Sequence, residues 1–415
     1  MSPPTRSGDT ALAEWKRGWP VVVTGAIGYG TGLALFNVTA GLFIEPMRED
    51  FGWSVRALSL APFAGIVMAL CNPFVGMLVD KVGARPSLLF GQLGFALSLV
   101  ALALMPPDPV AIYAIVIILG AISPLTNIAP IARGIASWFR KSAGMAIGTT
   151  LNGISVVAIF AVPLVSFIIA DHGWRAGYFT LAGLIFCLGF PLTFFGFREK
   201  ESRGDSSQAE HMATGIGAKE AFRDARFWGL LMVLIISAVP LGGFLTHLVP
   251  ILLSSGFDQM QATWLATLFP FSMMVGRIGG GFLLDRLKPE FVAAFLLTTA
   301  WIGAASLYQL DASPLFTIAV PAVLLLGMAQ GAESDYVAFF TLRFFGLKAY
   351  STIVGTYAMA IGLSMSVGGL GFSELYDRQG GYEMSILLGA GGFLLAAFAM
   401  LALWLFARKN KTDAY

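Results

Sequence analysis

Apolar residues in this chain come in runs of about twenty or more, the helical length that crosses a bilayer core of ~30 Å. Twelve such runs fall near 19–44, 55–79, 86–106, 109–139, 142–170, 175–197, 227–254, 260–284, 289–310, 313–342, 349–375 and 382–407. The expected fold is therefore all-α and polytopic in a membrane. Charged residues make up 12% of the chain, roughly half the share of a soluble protein. The net charge of +2 gives no hint of nucleic acid. Cys71 and Cys187 both lie inside apolar runs and are expected to pack as small hydrophobes.

The runs are duplicated. Gly76-Met-Leu-Val-Asp80-Lys81-Val-Gly83-Ala-Arg85 follows the second run, and Gly281-Phe-Leu-Leu-Asp285-Arg286-Leu-Lys288 follows the eighth. Trp138–Gly148 and Phe344–Gly355 echo each other before and into the fifth and eleventh runs, as do Asp171–Trp174 and Asp377–Tyr382 before the sixth and twelfth. A polar turn repeated half a chain apart marks an internal repeat. The expected organisation is a tail over 1–18, a six-helix bundle over 19–197, a hydrophilic linker over 198–226, a second bundle over 227–407 and a tail over 408–415.

Cations set the orientation. The tails, the linker and the even-to-odd connections hold 20 of the 26 Lys and Arg, whereas the other side has only Arg48, Arg56, Arg175 and Arg378. Both termini are expected on the cytoplasmic side of an inner or plasma membrane.

These residues resemble the major facilitator superfamily over essentially the whole chain. Gly76, Asp80, Lys81, Gly83 and Arg85 match its signature between helices 2 and 3. Phe51-Gly-Trp53-Ser54, Gly173-Trp174-Arg175, Arg343-Phe-Phe-Gly346 and the Asp377–Tyr382 stretch look most like its monocarboxylate porters and their oxalate/formate relatives. The resemblance implies two pseudo-symmetric six-helix bundles that rock around a midplane site. It also implies that the motif carrying Asp80, Lys81, Arg85, Asp285 and Arg286 holds the cytoplasmic gate, with an arginine in helix 8 receiving substrate carboxylate.

A charge in the hydrocarbon core costs about 2.5–3.5 kcal/mol on insertion scales, so each one needs a reason. Arg277 lies eight residues before Asp285, which puts it ~12 Å deep. It reads either as a bidentate anchor for an anionic cargo or as a structural partner of a buried acid such as Glu333. Glu333 and Asp335, ~15 and ~12 Å deep in the tenth run, are candidates for proton coupling or for bracing. His247, near the outer mouth of the seventh run, reads as a proton-sensing group or a hydrogen-bonded wall residue. Arg133 reads first as a structural pairing near the inner gate. Tyr29, Asn127, Asn152, Gln330 and Tyr357 share the mid-depth of runs 1, 4, 5, 10 and 11 and fit a small polar pocket.

The resemblance also has gaps. The first run carries Asn37 and no lysine, Met273 stands four residues before Arg277, and 349–375 has no lysine. One central cation suits a monocarboxylate better than a dicarboxylate. The expected activity is secondary transport of a small organic anion by proton symport or exchange, by a monomer, without cofactor or metal. The alternative is a proton-driven exporter of hydrophobic compounds. No H-E-x-x-H segment or phosphate loop suggests an enzyme.

Overall fold

The computed structural model describes residues 10–52, 61–200, 215–310 and 314–412. Trp53, Ser54 and Arg56 lie outside them. Among the described residues, ten helical stretches are long and apolar enough to cross a membrane, or eleven when Ala11–Gly30 and Leu33–Thr39, bent by 42°, count as one. The stretch Ala143–Gly196 is 54 residues long and folds back at Gly173, where φ is +81°. Ile169 lies against Gly177, eight residues on, although a straight helix would hold them ~12 Å apart. That stretch is therefore long enough for two crossings, consistent with twelve spans.

The second to fourth spans are Ala61–Val82, Ala84–Leu104 and the pair Pro109–Ile122 with Ile128–Trp138. The fifth begins as Ala143–Leu151 and continues from Gly153. The seventh to twelfth are Ala225–Ser254, Gln259–Arg286, Pro289–Tyr308, Phe316–Phe345, Tyr350–Gln379 and Glu383–Thr412. The first starts at Ala11, eight residues before its apolar run, and its continuation Gly41–Phe51 passes beyond that run. Of the linker, Ala218–Ala221 is one short helix.

Buried apolar side chains form two cores, one in each half. The N-terminal core also takes in Ala338, Leu347, Tyr350 and Val354 from the other half, where the bundles meet. Phe90, Leu97 and Leu104, spaced by sevens on the third span, face outward, as do Phe291, Phe295 and Ile302 on the ninth. In water such a surface would drive aggregation; in lipid it is the solvated face.

Candidate functional site

The site is framed by a two-fold lock at the cation-rich face. Asp80 accepts from the backbone N–H of Ser351 (2.9 Å) and Thr352 (2.8 Å) and from the Thr352 hydroxyl (2.6 Å). Asp285 accepts from the N–H of Gly144 (2.9 Å) and Met145 (2.9 Å). Each carboxylate thus caps the first turn of a span in the opposite bundle, where the helix dipole favours an anion. Gly76 and Gly281 make this possible. A Cβ at Gly76 would overlap the Ser351 carbonyl, and one at Gly281 the Gly144 carbonyl.

The two locks differ in their supports. Arg133 donates to Asp80 (2.6 Å), to Glu199 (3.0 Å) and to the Leu347 carbonyl across the interface (3.2 Å). Asp285 has no cation partner among the described residues. The motif's bases do not pair with acids there: Arg85 donates to the Phe194 carbonyl and lies 5.2 Å over its ring, and Arg286 lies 4.0 Å over Phe282. Lys81 is exposed. Glu14, in the extra turns of the first span, accepts from the N–H groups of Arg140, Lys141 and Ser142 and from the Ser142 hydroxyl. A lone acid in a polar tail carries no sequence signal for that role.

Deeper in, the N-terminal half breaks its helices. At Asn152 the fifth span stops and restarts, and Ser155 N–H bonds back to Asn152 rather than to Leu151. The Leu151 carbonyl is thereby released, and Arg277 Nη1 takes it at 2.8 Å. Asn152 returns a bond to the Met274 carbonyl at 3.3 Å. The first span breaks at Thr31–Gly32 and the fourth at Ser123–Asn127, and the freed Leu33 N–H donates to Thr126 Oγ1 (3.3 Å). Asn127 caps its own helix through Ile128 N–H (2.9 Å). Tyr29 is buried beside the break in the first span.

Arg277 is buried and makes no ion pair among the described residues, and its Nε has no hydrogen-bond partner. The alternative pairing with Glu333 is not present: Glu333, also buried, accepts from Ser237 of the seventh span at 3.1 Å. Asn152 Oδ1 and Gln330 Oε1 are likewise buried without a partner. So is Asn72 Nδ2, on a residue the sequence reading passed over. Asn72 precedes Asp80 by eight residues, as Arg277 precedes Asp285, so aligning the two repeats would have found it.

The remaining candidates sit elsewhere. Tyr357 is fully buried in the C-terminal wall, stacked on Phe227 and donating to its carbonyl at 3.3 Å. His247 bridges the Gly369 carbonyl through Nε2 and the Tyr382 hydroxyl through Nδ1, both at 3.0 Å. Because a carbonyl only accepts, Nε2 carries the proton and Nδ1 accepts from Tyr382 in the neutral ring. The side chain of Asp335 lies outside the described residues. Every described hydrogen bond between the bundles lies between mid-depth and the cation-rich face. The structure is closed there.

The profile of the Major Facilitator Superfamily matches residues 22–369. The chain belongs to that superfamily. Its curated relatives include monocarboxylate transporter 13 of Bos taurus, 25% identical over 402 residues, covering 92% of this chain and 88% of the relative. Monocarboxylate transporter 4 of Rattus norvegicus is 22% identical over 405 residues, covering 95% and 85%. Among solved structures, the proton:xylose symporter XylE superposes with a TM-score of 0.71 at 16% identity, covering 95% of this chain and 96% of that one. The human organic anion transporter MFSD10 gives 0.63 at 17%, covering 93% and 99%. The chain is thus a multi-pass membrane transporter of that superfamily, not an enzyme.

Proposed function

We propose that this transporter carries a small monocarboxylate by proton-coupled symport or exchange, with its cation-rich face in the cytoplasm and this structure facing outward. The observation that carries the reading is Arg277: a guanidinium at mid-depth, bonded to one backbone carbonyl and to no carboxylate among the described residues. A buried cation left so lightly partnered is costly unless an anion completes it. Asn72 Nδ2, buried without a partner, can donate to a carboxylate, and the partnerless oxygens Asn152 Oδ1 and Gln330 Oε1 can accept from a hydroxyl on the cargo. The relatives' names support the cargo class. Glu333 is the candidate proton carrier: a buried carboxyl held by one hydroxyl and no cation among the described residues can be neutral in one state and charged in another.

Thermal-shift titration of the purified protein with carboxylates, amines, sugars and hydrophobic cations tests this. Ligand that binds the folded state raises Tm by mass action. A monocarboxylate should stabilise the wild type, and Arg277→Ala should weaken that binding by about 30-fold or more, the scale of stranding one partner of a buried charge pair (~2–5 kcal/mol). Stabilisation by cations or neutral solutes alone, untouched by the substitution, would make Arg277 structural and favour the exporter reading.

A further inference from the structure

At the cation-rich face a cavity of about 260 Å³ opens between the bundles. Phe139 and Arg140 line it from the N-terminal bundle, and Phe339, Leu342, Arg343 and Leu347 from the C-terminal one. Both arginines are exposed, and neither guanidinium has a hydrogen bond or ion pair among the described residues. The nearby acid Glu14 is engaged by the backbone of 140–142 and pairs with neither. Leu347, in the cavity wall, is the residue whose carbonyl Arg133 grips while holding Asp80, so the cavity abuts the lock itself. Closing this face draws two like charges to one cavity, which opposes closure unless an anion sits between them.

We propose that this cavity binds a phosphate-bearing anion that bridges Arg140 and Arg343 and holds the two bundles together. Guanidinium groups match phosphate oxygens two at a time, and Phe139, Phe339 and Leu342 offer an apolar wall for whatever the phosphate is attached to. The volume lies just below the range of drug-sized ligand pockets, ~300–1,000 Å³, which suits a small head group. An anion that bridges both arginines binds only the closed arrangement, so it shifts the equilibrium toward closure by its difference in affinity for the two states. It is a brake, not cargo, because the lock separates it from Arg277. The carboxylate reading of Arg277 plays no part in it.

The phosphate can come from a soluble ester or from an anionic phospholipid, and two arms separate these sources. The first titrates delipidated protein in detergent with pyrophosphate, against chloride at matched ionic strength. The second compares nanodiscs of phosphatidylglycerol with nanodiscs of phosphatidylcholine. Both read Tm together with the distance between spin labels placed across the cation-rich face. At least one arm should raise Tm and narrow the distances toward closure. Pyrophosphate acting in detergent identifies a soluble source, and phosphatidylglycerol acting alone identifies a head group. Arg140→Gln and Arg343→Gln should each weaken the effect about tenfold, the loss expected for one charge-assisted contact. The exposed positions leave folding intact, and Arg→Lys at either should keep part of the effect. Arg277→Ala should keep all of it. An equal response to chloride, a response that survives in the double Gln variant, or none in either arm overturns the proposal.

Discussion

The two halves share a plan and divide the chemistry unequally. The N-terminal bundle breaks its first, fourth and fifth spans near mid-depth and fills the gaps with neutral side chains and freed backbone groups. The C-terminal bundle keeps its seventh, eighth, tenth and eleventh spans as continuous helices of 28 to 30 residues, and these carry Arg277 and Glu333. A broken helix exposes carbonyls and N–H groups that only a buried partner can satisfy, and the Leu151 carbonyl finds one in Arg277 across the interface. One bundle thus offers a polar backbone and the other a charge, and the site forms where they meet. In discontinuous transporter helices the same division places substrate at the bilayer midplane.

The lock shows the asymmetry most sharply, because Asp80 has a cation behind it and Asp285 has none among the described residues. A hydrogen bond to a charged group contributes about 1.5–3 kcal/mol. Asp80→Asn also takes from Arg133 one of its two carboxylate partners, leaving it Glu199, so it should slow transport into proteoliposomes by roughly 10- to 100-fold while leaving ligand affinity nearly unchanged. Asp285→Asn keeps an acceptor for one of its two N–H donors and disturbs no ion pair, so its cost should be several-fold smaller. Equal losses from the two substitutions would mean that the cation behind Asp80 contributes nothing to closure.

A smaller effect tests where the proton is carried. Glu333→Gln preserves an acceptor for Ser237 and removes only the capacity to ionise. Uphill accumulation driven by a pH gradient should collapse to passive equilibration, while counterflow and binding persist. The N-terminal comparison is Asn127→Ala, which removes a helix cap inside the fourth span. It should cost about 1 kcal/mol of stability, seen in Tm, and leave coupling intact. If accumulation survives Glu333→Gln and fails in the Asn127 variant, the division of labour is reversed.

Much of this was legible in the residues. Run length and the half-chain repeat lead to the bundles, because lipid leaves so few ways to satisfy a backbone. Asp80 and Asp285 read as a repeated gate motif, and Arg277 reads as a deep cation, since depth along a helix is simple arithmetic. The breaks at Thr31–Gly32, Ser123–Asn127 and Asn152 were not legible. Each is stabilised by a partner far away in sequence, as Leu33 N–H is by Thr126, and local pattern holds no trace of that. The same limit hid Glu14, whose partners lie at 140–142. Tyr357 is a different case: its mid-depth position suggests a pocket residue, but only packing reveals that its ring stacks on Phe227, two residues into the seventh span.

The smallest effect lies on the face away from the lock, where the repeat sets Trp174 against Tyr382. Trp174 donates to Asp50 at 3.0 Å with Arg175 at 2.7 Å, whereas Tyr382 meets His247 at 3.0 Å. At these two matched positions the N-terminal aromatic shares its partner with a cation and the C-terminal one does not, the ion pair Arg378–Glu374 lying along the eleventh span instead. Bonds from Arg175, then Trp174, hold the Asp50 carboxyl below its ordinary value of 3.8. A carboxyl depressed on folding contributes stability that is fully present above its unfolded value and is lost as pH falls through the folded one. Both partners of the ion pair are 44% exposed, so the contribution is about 0.2–1 kcal/mol at most. Asp50→Asn should therefore lower Tm slightly at neutral pH, and the gap to wild type should close as pH falls below about 4. Tyr382→Phe, which removes a neutral bond, should show a gap that does not close over the same acid range. A gap for Asp50→Asn that stays constant through that range would show that the charge of Asp50 contributes nothing to stability.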